Sequence, residues 1–127
     1  MVGIVKVDTL QNNAGTSSVD MGYVVNGSAK AWVDFNGTGT VSIDDSLNIS
    51  SADDDGTGDY GFNFTSSFAS TAYCPQATGR GDGTGEGSWC TSTRVPATSS
   101  CDIFYFSNSG ADQDQTALSW SALGDLA

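Results

Sequence analysis

The side chains able to do chemistry in this 127-residue chain are nearly all acidic. Fifteen Asp and Glu stand against four Lys and Arg, and there is no His. Without an imidazole, a Ser–His–Asp triad and a His-ligated metal are both excluded. Paired carboxylates could still hydrolyse a glycoside, which needs two acids across a cleft. With so many acids, pairs are inevitable and nothing marks one as buried, so no catalytic residue is assigned. The run Asp53-Asp54-Asp55-Gly56-Thr57-Gly58-Asp59 invites a calcium reading, because hard cations prefer several carboxylates on a glycine turn. Set on an EF-hand loop with Gly56 at its glycine, the first ligand falls on Ser51 and the bidentate acid on Phe62. That register fails. The run reads instead as a solvated hairpin turn whose charges discourage edge aggregation, and neither metal nor cofactor is expected.

The remaining candidates are sparse. Cys74, Cys90 and Cys101 are an odd number, so they close no disulfide framework; they read first as small buried hydrophobes, with pairing of two of them as the alternative and metal binding a remote third. Gly79 to Gly87 is glycine-rich, but neither a dinucleotide loop nor a Walker loop fits it, and Asp82 and Glu86 would repel phosphate. It reads as a long exposed loop containing Arg80-Gly81-Asp82, a tripeptide that some adhesive proteins use. Trp32, Trp89 and Trp120 are either packing residues or platforms for sugar rings, with packing the commoner role for a strand Trp. Asn-x-Ser/Thr sequons begin at Asn26, Asn36, Asn48 and Asn63; they follow from the abundance of Ser and Thr.

Charge bounds the partners. A net charge of −11 argues against nucleic acid and anionic membrane, since both demand clustered Lys and Arg. The longest apolar run, Ile103-Phe104-Tyr105-Phe106, is too short to span a bilayer, so no membrane insertion is expected. Residues Met1 to Asp8 lack the charged start and apolar stretch of a secretory signal, which predicts a soluble, non-exported chain.

The elements that must position these groups are strands. No apolar set recurs with helical spacing over three turns, so no helix is expected. From Ala29 to Phe35, the residues Ala31, Val33 and Phe35 share one face while Lys30, Trp32 and Asp34 take the other. Tyr60, Phe62 and Phe64 alternate in the same way with Asp59, Gly61, Asn63 and Thr65. Both patterns predict half-buried antiparallel strands. Further strands are expected at Thr40 to Ile43, Leu47 to Ser51, Thr71 to Pro75, Ser88 to Arg94, Cys101 to Ser107 and Thr116 to Ala122. With Asn36-Gly37-Thr38-Gly39 as one hairpin turn, the prediction is an all-β, single antiparallel β-sandwich, jelly-roll-like, over residues 27–127. Residues 1–26 are too poor in apolar residues to build a core. They are expected to form a short extended segment for attachment or oligomerisation, with Ile4 to Leu10 adding a strand to the sandwich edge or to a neighbouring subunit.

Three stretches resemble a module of structural proteins of tailed, especially marine, bacteriophages. Gly3-Ile4-Val5-Lys6-Val7-Asp8-Thr9-Leu10-Gln11 with Ala14-Gly15-Thr16-Ser17 is similar to the opening of phage fibre and virion proteins. Ser28-Ala29-Lys30-Ala31-Trp32-Val33-Asp34-Phe35-Asn36-Gly37-Thr38-Gly39-Thr40-Val41 carries the KAWV-F-GTGTV pattern, which continues through Asp55-Gly56-Thr57-Gly58-Asp59-Tyr60 to Thr65. Ala117 to Asp125 is similar to the closing strand. The likeness is dense over 28–74 and moderate at both ends. It implies a β-sandwich, usually a homotrimer, in a tail fibre or a projection on the virion, assembled in the host cytoplasm and serving host attachment. It supplies no catalytic residues.

The expected function is therefore a virion structural protein of the tail fibre, with a capsid decoration (a cement-type or head-fibre protein) as the alternative. A carbohydrate-binding module is the alternative of another class. Ile4, Val5, Lys6, Val7 and Leu10 are the expected docking residues for other virion proteins. Trp32, Trp89, Arg80 and Asp82 are the expected contacts to a host-surface glycan.

Overall fold

Alternation places the core on four strands. β3 (Ala29–Asn36) buries Ala31, Val33 and Phe35, and β6 (Asp59–Phe64) buries Tyr60, Phe62 and Phe64. β9 (Ser100–Ser107) buries Cys101, Ile103 and Tyr105, and β10 (Leu118–Leu123) buries Leu118, Trp120 and Ala122. Each is central in its sheet, because a strand flanked on both sides can turn one whole face inward. The computed structural model describes residues 3–79, 89–94, 96–107 and 109–127, with backbone alone at Trp89 and Cys90.

The other strands complete two four-stranded sheets. β4 (Ser42–Leu47) and β7 (Cys74–Gly79) flank the first, in the order β4-β3-β10-β7. β5 (Ile49–Gly56) and β8 (Trp89–Arg94) flank the second, in the order β5-β6-β9-β8. All pairings are antiparallel. The sheets pack face to face over one aromatic-rich cluster, the all-β sandwich expected. The Phe35 ring meets Tyr60 and Phe62 edge-on at 5.2 and 5.1 Å, and Phe64 stacks on Trp120 at 5.7 Å. Each such side chain contributes about 1.5–3 kcal/mol on burial.

Several expectations change. Asp53, Asp54 and Asp55 are not a turn. They lie on edge strand β5, and the hairpin to β6 turns at Gly56-Thr57-Gly58 with a register shift between Asp54 and Gly56. The strands expected at Thr40 to Ile43, Leu47 to Ser51 and Thr71 to Pro75 begin and end later, at β4, β5 and β7. Edge strands bury little on either face, so period-2 apolar alternation is weak and cannot bound them. Cys101 is buried, but Cys74 is exposed on β7. Burial pushes the Cys101 thiol up to about 11, with the Tyr73 hydroxyl opposing and Asp102 adding to the rise.

The N-terminal residues differ most. Ile4, Val5, Lys6 and Val7 belong to no strand. β1 (Thr9–Gln11) pairs with β2 (Ser18–Asp20) instead of with the sandwich edge, forming a separate hairpin. Asn12 closes it: its Oδ1 accepts from the amides of Thr16 and Ser17 at 2.9 and 3.1 Å. A helix that the sequence did not suggest, α1 (Met21–Gly27), follows at once. Asp20 caps it by accepting from the Gly22 amide at 2.6 Å. With two Gly and two Val in seven residues, it has poor intrinsic propensity and no apolar period to detect. Among the described residues no helix is long and apolar enough to cross a membrane.

Candidate functional site

Three surfaces carry the side chains singled out by type and position. The first is the N-terminal hairpin and helix. From residue 3 to Ala29 no residue is buried and only Met21 is partly covered. Ile4 is 76% exposed, Val5 84% and Tyr23 78%; Val7, Leu10, Val19, Val24 and Val25 are exposed as well. Lys6 is exposed among them. The expected docking residues are thus all on the surface, joined by Val19 and the apolar residues of α1. One side chain of the sandwich ties this segment down. The Lys30 ammonium donates to the Val25 carbonyl, to the Ser28 carbonyl at 2.9 Å and to the Ser28 hydroxyl at 2.8 Å. That uses all three of its donors and places a cation at the C-terminal end of α1, where the helix dipole favours it.

The second surface is the outer face of the first sheet. Register sets two rows across it. Leu47, Trp32, Ser121 and Gln76 stand opposite one another on β4, β3, β10 and β7. Asp45, Asp34, Ser119 and Thr78 form the next row. The Ser119 hydroxyl donates to Asp34 Oδ1 at 2.9 Å. A groove of about 410 Å³ runs over β3, β10 and β7, lined by Trp32, Asp34, Gln76, Thr78, Ser119 and Ser121 among others. The outward placement of Trp32 and Asp34 was legible from alternation. Their polar neighbours were not, since β7 and β10 reach them only through tertiary pairing. Trp120, by contrast, is core.

Of the expected glycan contacts, only the Trp32 side chain lies among the described residues. Trp32 is on the first sheet, whereas Trp89 begins β8 at the edge of the second. Arg80 and Asp82, with most of the glycine loop, lie outside the described residues.

The third surface is the outer face of the second sheet, where Asp53, Gly61, Asp102 and Arg94 stand in register. Arg94 bridges to Asp59 Oδ2 at 3.0 Å and lies 4.3 Å over the Phe104 ring. Asn63 donates to Asp53 at 2.7 Å. Gly61 leaves room for the acids: a Cβ there would sit 3.3 Å from Asp55 Oδ2 and 3.5 Å from Asp102 Oδ1. Burial pushes the Asp59 carboxyl up; Arg94 pulls it down, and Asp55, Asp102 and Asp112 add to the rise. Burial raises Asp102 too, reinforced by Asp55 and opposed by Arg94. Among the described residues no three Asp, Glu, Cys or His are grouped to hold a metal ion.

Apart from Trp32, the KAWV-F-GTGTV stretch supplies scaffold. Ala31, Val33 and Phe35 are core, and Lys30 caps α1. Gly37 makes room for Tyr60, whose hydroxyl donates to the Gly37 carbonyl at 3.0 Å and lies 3.1 Å from Asp114 Oδ1. A Cβ at Gly37 would fall on that hydroxyl. No family model, curated protein or solved structure matches this chain.

Proposed function

We propose that this chain is a structural protein of a tailed-bacteriophage virion, a component of the tail fibre that joins partner subunits through its N-terminal hairpin and helix. The observation that carries the reading is the state of residues 3–28: two three-residue strands and a seven-residue helix, with eight large apolar side chains exposed. A lone two-stranded hairpin is marginal in water, and so is a helix this short. Large apolar side chains left exposed on such a segment mark a surface for another protein. The likeness of residues 28–74 to the phage module supports the same assignment, as does a sandwich with acids along the edge strands β4 and β5. In this reading copies of the chain associate as a homotrimer, the sandwich projects outward, and no step of catalysis is involved.

Two measurements test it. Purified particles of the host phage should contain the chain, and its copy number separates the two placements: few copies for a tail fibre, tens to hundreds for a capsid decoration. Deleting residues 1–26 should leave a β-domain with an unfolding midpoint close to that of the full chain, because none of the described residues removed is in the core, and that domain should no longer enter particles. Incorporation of the truncated chain at the normal level would refute docking through this segment.

A further inference from the structure

We infer that the groove on the outer face of the first sheet binds an uncharged oligosaccharide, with Trp32 as the stacking platform. A sugar ring presents an apolar C–H face and a rim of hydroxyls. It is matched by an aromatic face with hydrogen-bonding groups set around it. The groove supplies both. Trp32 stands half-buried in one row of the sheet with the Ser121 hydroxyl and the Gln76 amide beside it. The second row brings Asp34, Ser119 and Thr78, roughly 7 Å further along the strands. Carboxylate, amide and hydroxyl together accept from and donate to the hydroxyl rim. The volume of about 410 Å³ lies within the usual range for small-ligand sites.

Charge selects within the sugars. Among the described residues no Lys or Arg lines the groove. In a chain of net charge −11, uronic-acid and sulfated polymers are repelled. The occupant is therefore a neutral hexose chain. The inference rests on the groove and not on the place of the chain in a virion: binding is read on the isolated protein and assembly on particles, so one can fail without the other.

The test is titration of the full-length, isotope-labelled chain with maltohexaose, cellohexaose, laminarihexaose and mannohexaose, and with hexagalacturonate as the acidic comparison. At least one neutral hexamer should saturate at millimolar concentration, shifting the Trp32 indole resonance and the amides of Ser119 and Ser121. Trp32→Ala should weaken that binding about tenfold or more, the equivalent of about 1.4 kcal/mol. Ser121→Arg fills the groove while keeping the indole, and should weaken it as much. The dispersed β spectrum of each variant confirms folding. The inference is overturned if no neutral hexamer saturates at tens of millimolar, if hexagalacturonate binds as well as the best of them, or if binding survives Ser121→Arg in a folded protein.

Discussion

The contact between Gly37 and Tyr60 explains why a turn between two strands tolerates so little. The Tyr60 hydroxyl reaches the Gly37 carbonyl and Asp114, and Asp114 in turn accepts from the Gly58 amide at 2.8 Å. Gly58 itself has φ +69° and no room for a Cβ against the Tyr105 carbonyl. Two hairpin turns and the segment before β10 are thus fastened at one point. Burial and the Asp114 carboxylate hold the Tyr60 phenol well above its ordinary range, so it stays a donor at every pH of interest. Gly37→Ala should destabilise by about 1–3 kcal/mol through overpacking. Tyr60→Phe should cost about 1 kcal/mol for the lost hydrogen bond. The double variant should cost somewhat less than their sum, because Phe removes the hydroxyl nearest the added Cβ while keeping Cζ and Cε1 at 2.5 and 2.9 Å. Denaturant unfolding of the three proteins checks this, and strict additivity would place the strain elsewhere. The sequence marked Gly37 and Gly58 as turn residues. That a tyrosine 23 positions away from Gly37 decides its identity could not be read there.

Among the elements, the edge strands carry the acids. β5 holds Asp53, Asp54 and Asp55, and β4 holds Asp44 and Asp45. An unpaired edge is a template for another chain, and charge is one of the common protections. Changing Asp53, Asp54 and Asp55 together to Asn keeps the acceptors for Asn63 and Gly56 and removes the charge. That variant should keep the stability of the parent or exceed it, yet self-associate at neutral pH; light scattering against concentration is the measurement. A variant as monodisperse as the parent would mean that the edge is protected by shape alone. These strands were also the ones whose bounds the sequence blurred. The central strands β3, β6, β9 and β10 were legible because one face of each is wholly buried. Helix α1 was not, since a seven-residue helix that buries nothing has no pattern to detect.

The whole molecule carries a net charge of −11, and its acidic outer sheet makes stability depend on pH. Asp59 and Asp102 have folded-state values above the ordinary 3.8, so the folded protein binds their protons more tightly than the unfolded chain. Their contribution is full below about 3.8 and is lost as pH rises through the raised values. Lowering the pH from neutrality toward 4 should therefore raise the unfolding midpoint. Asp102→Asn should flatten that rise and lift the neutral-pH midpoint by a few degrees; an unchanged pH slope would remove Asp102 from the account.

The sequence alone determined which side of each central strand faces inward, because alternation is a property of the extended backbone and needs no partner. It determined the surplus of acid, the lack of imidazole and the all-β class for the same reason: composition and period are local. Only the tertiary structure decided which strands are neighbours. The groove at Trp32 draws on β3, β7 and β10, and the acidic face on β5, β6, β8 and β9, from residues far apart in the chain. Only the fold, too, set the N-terminal hairpin and helix outside the core. Sequence shows that a segment is poor in apolar residues, but whether the sandwich leaves a face to cover them is settled by how its own strands close.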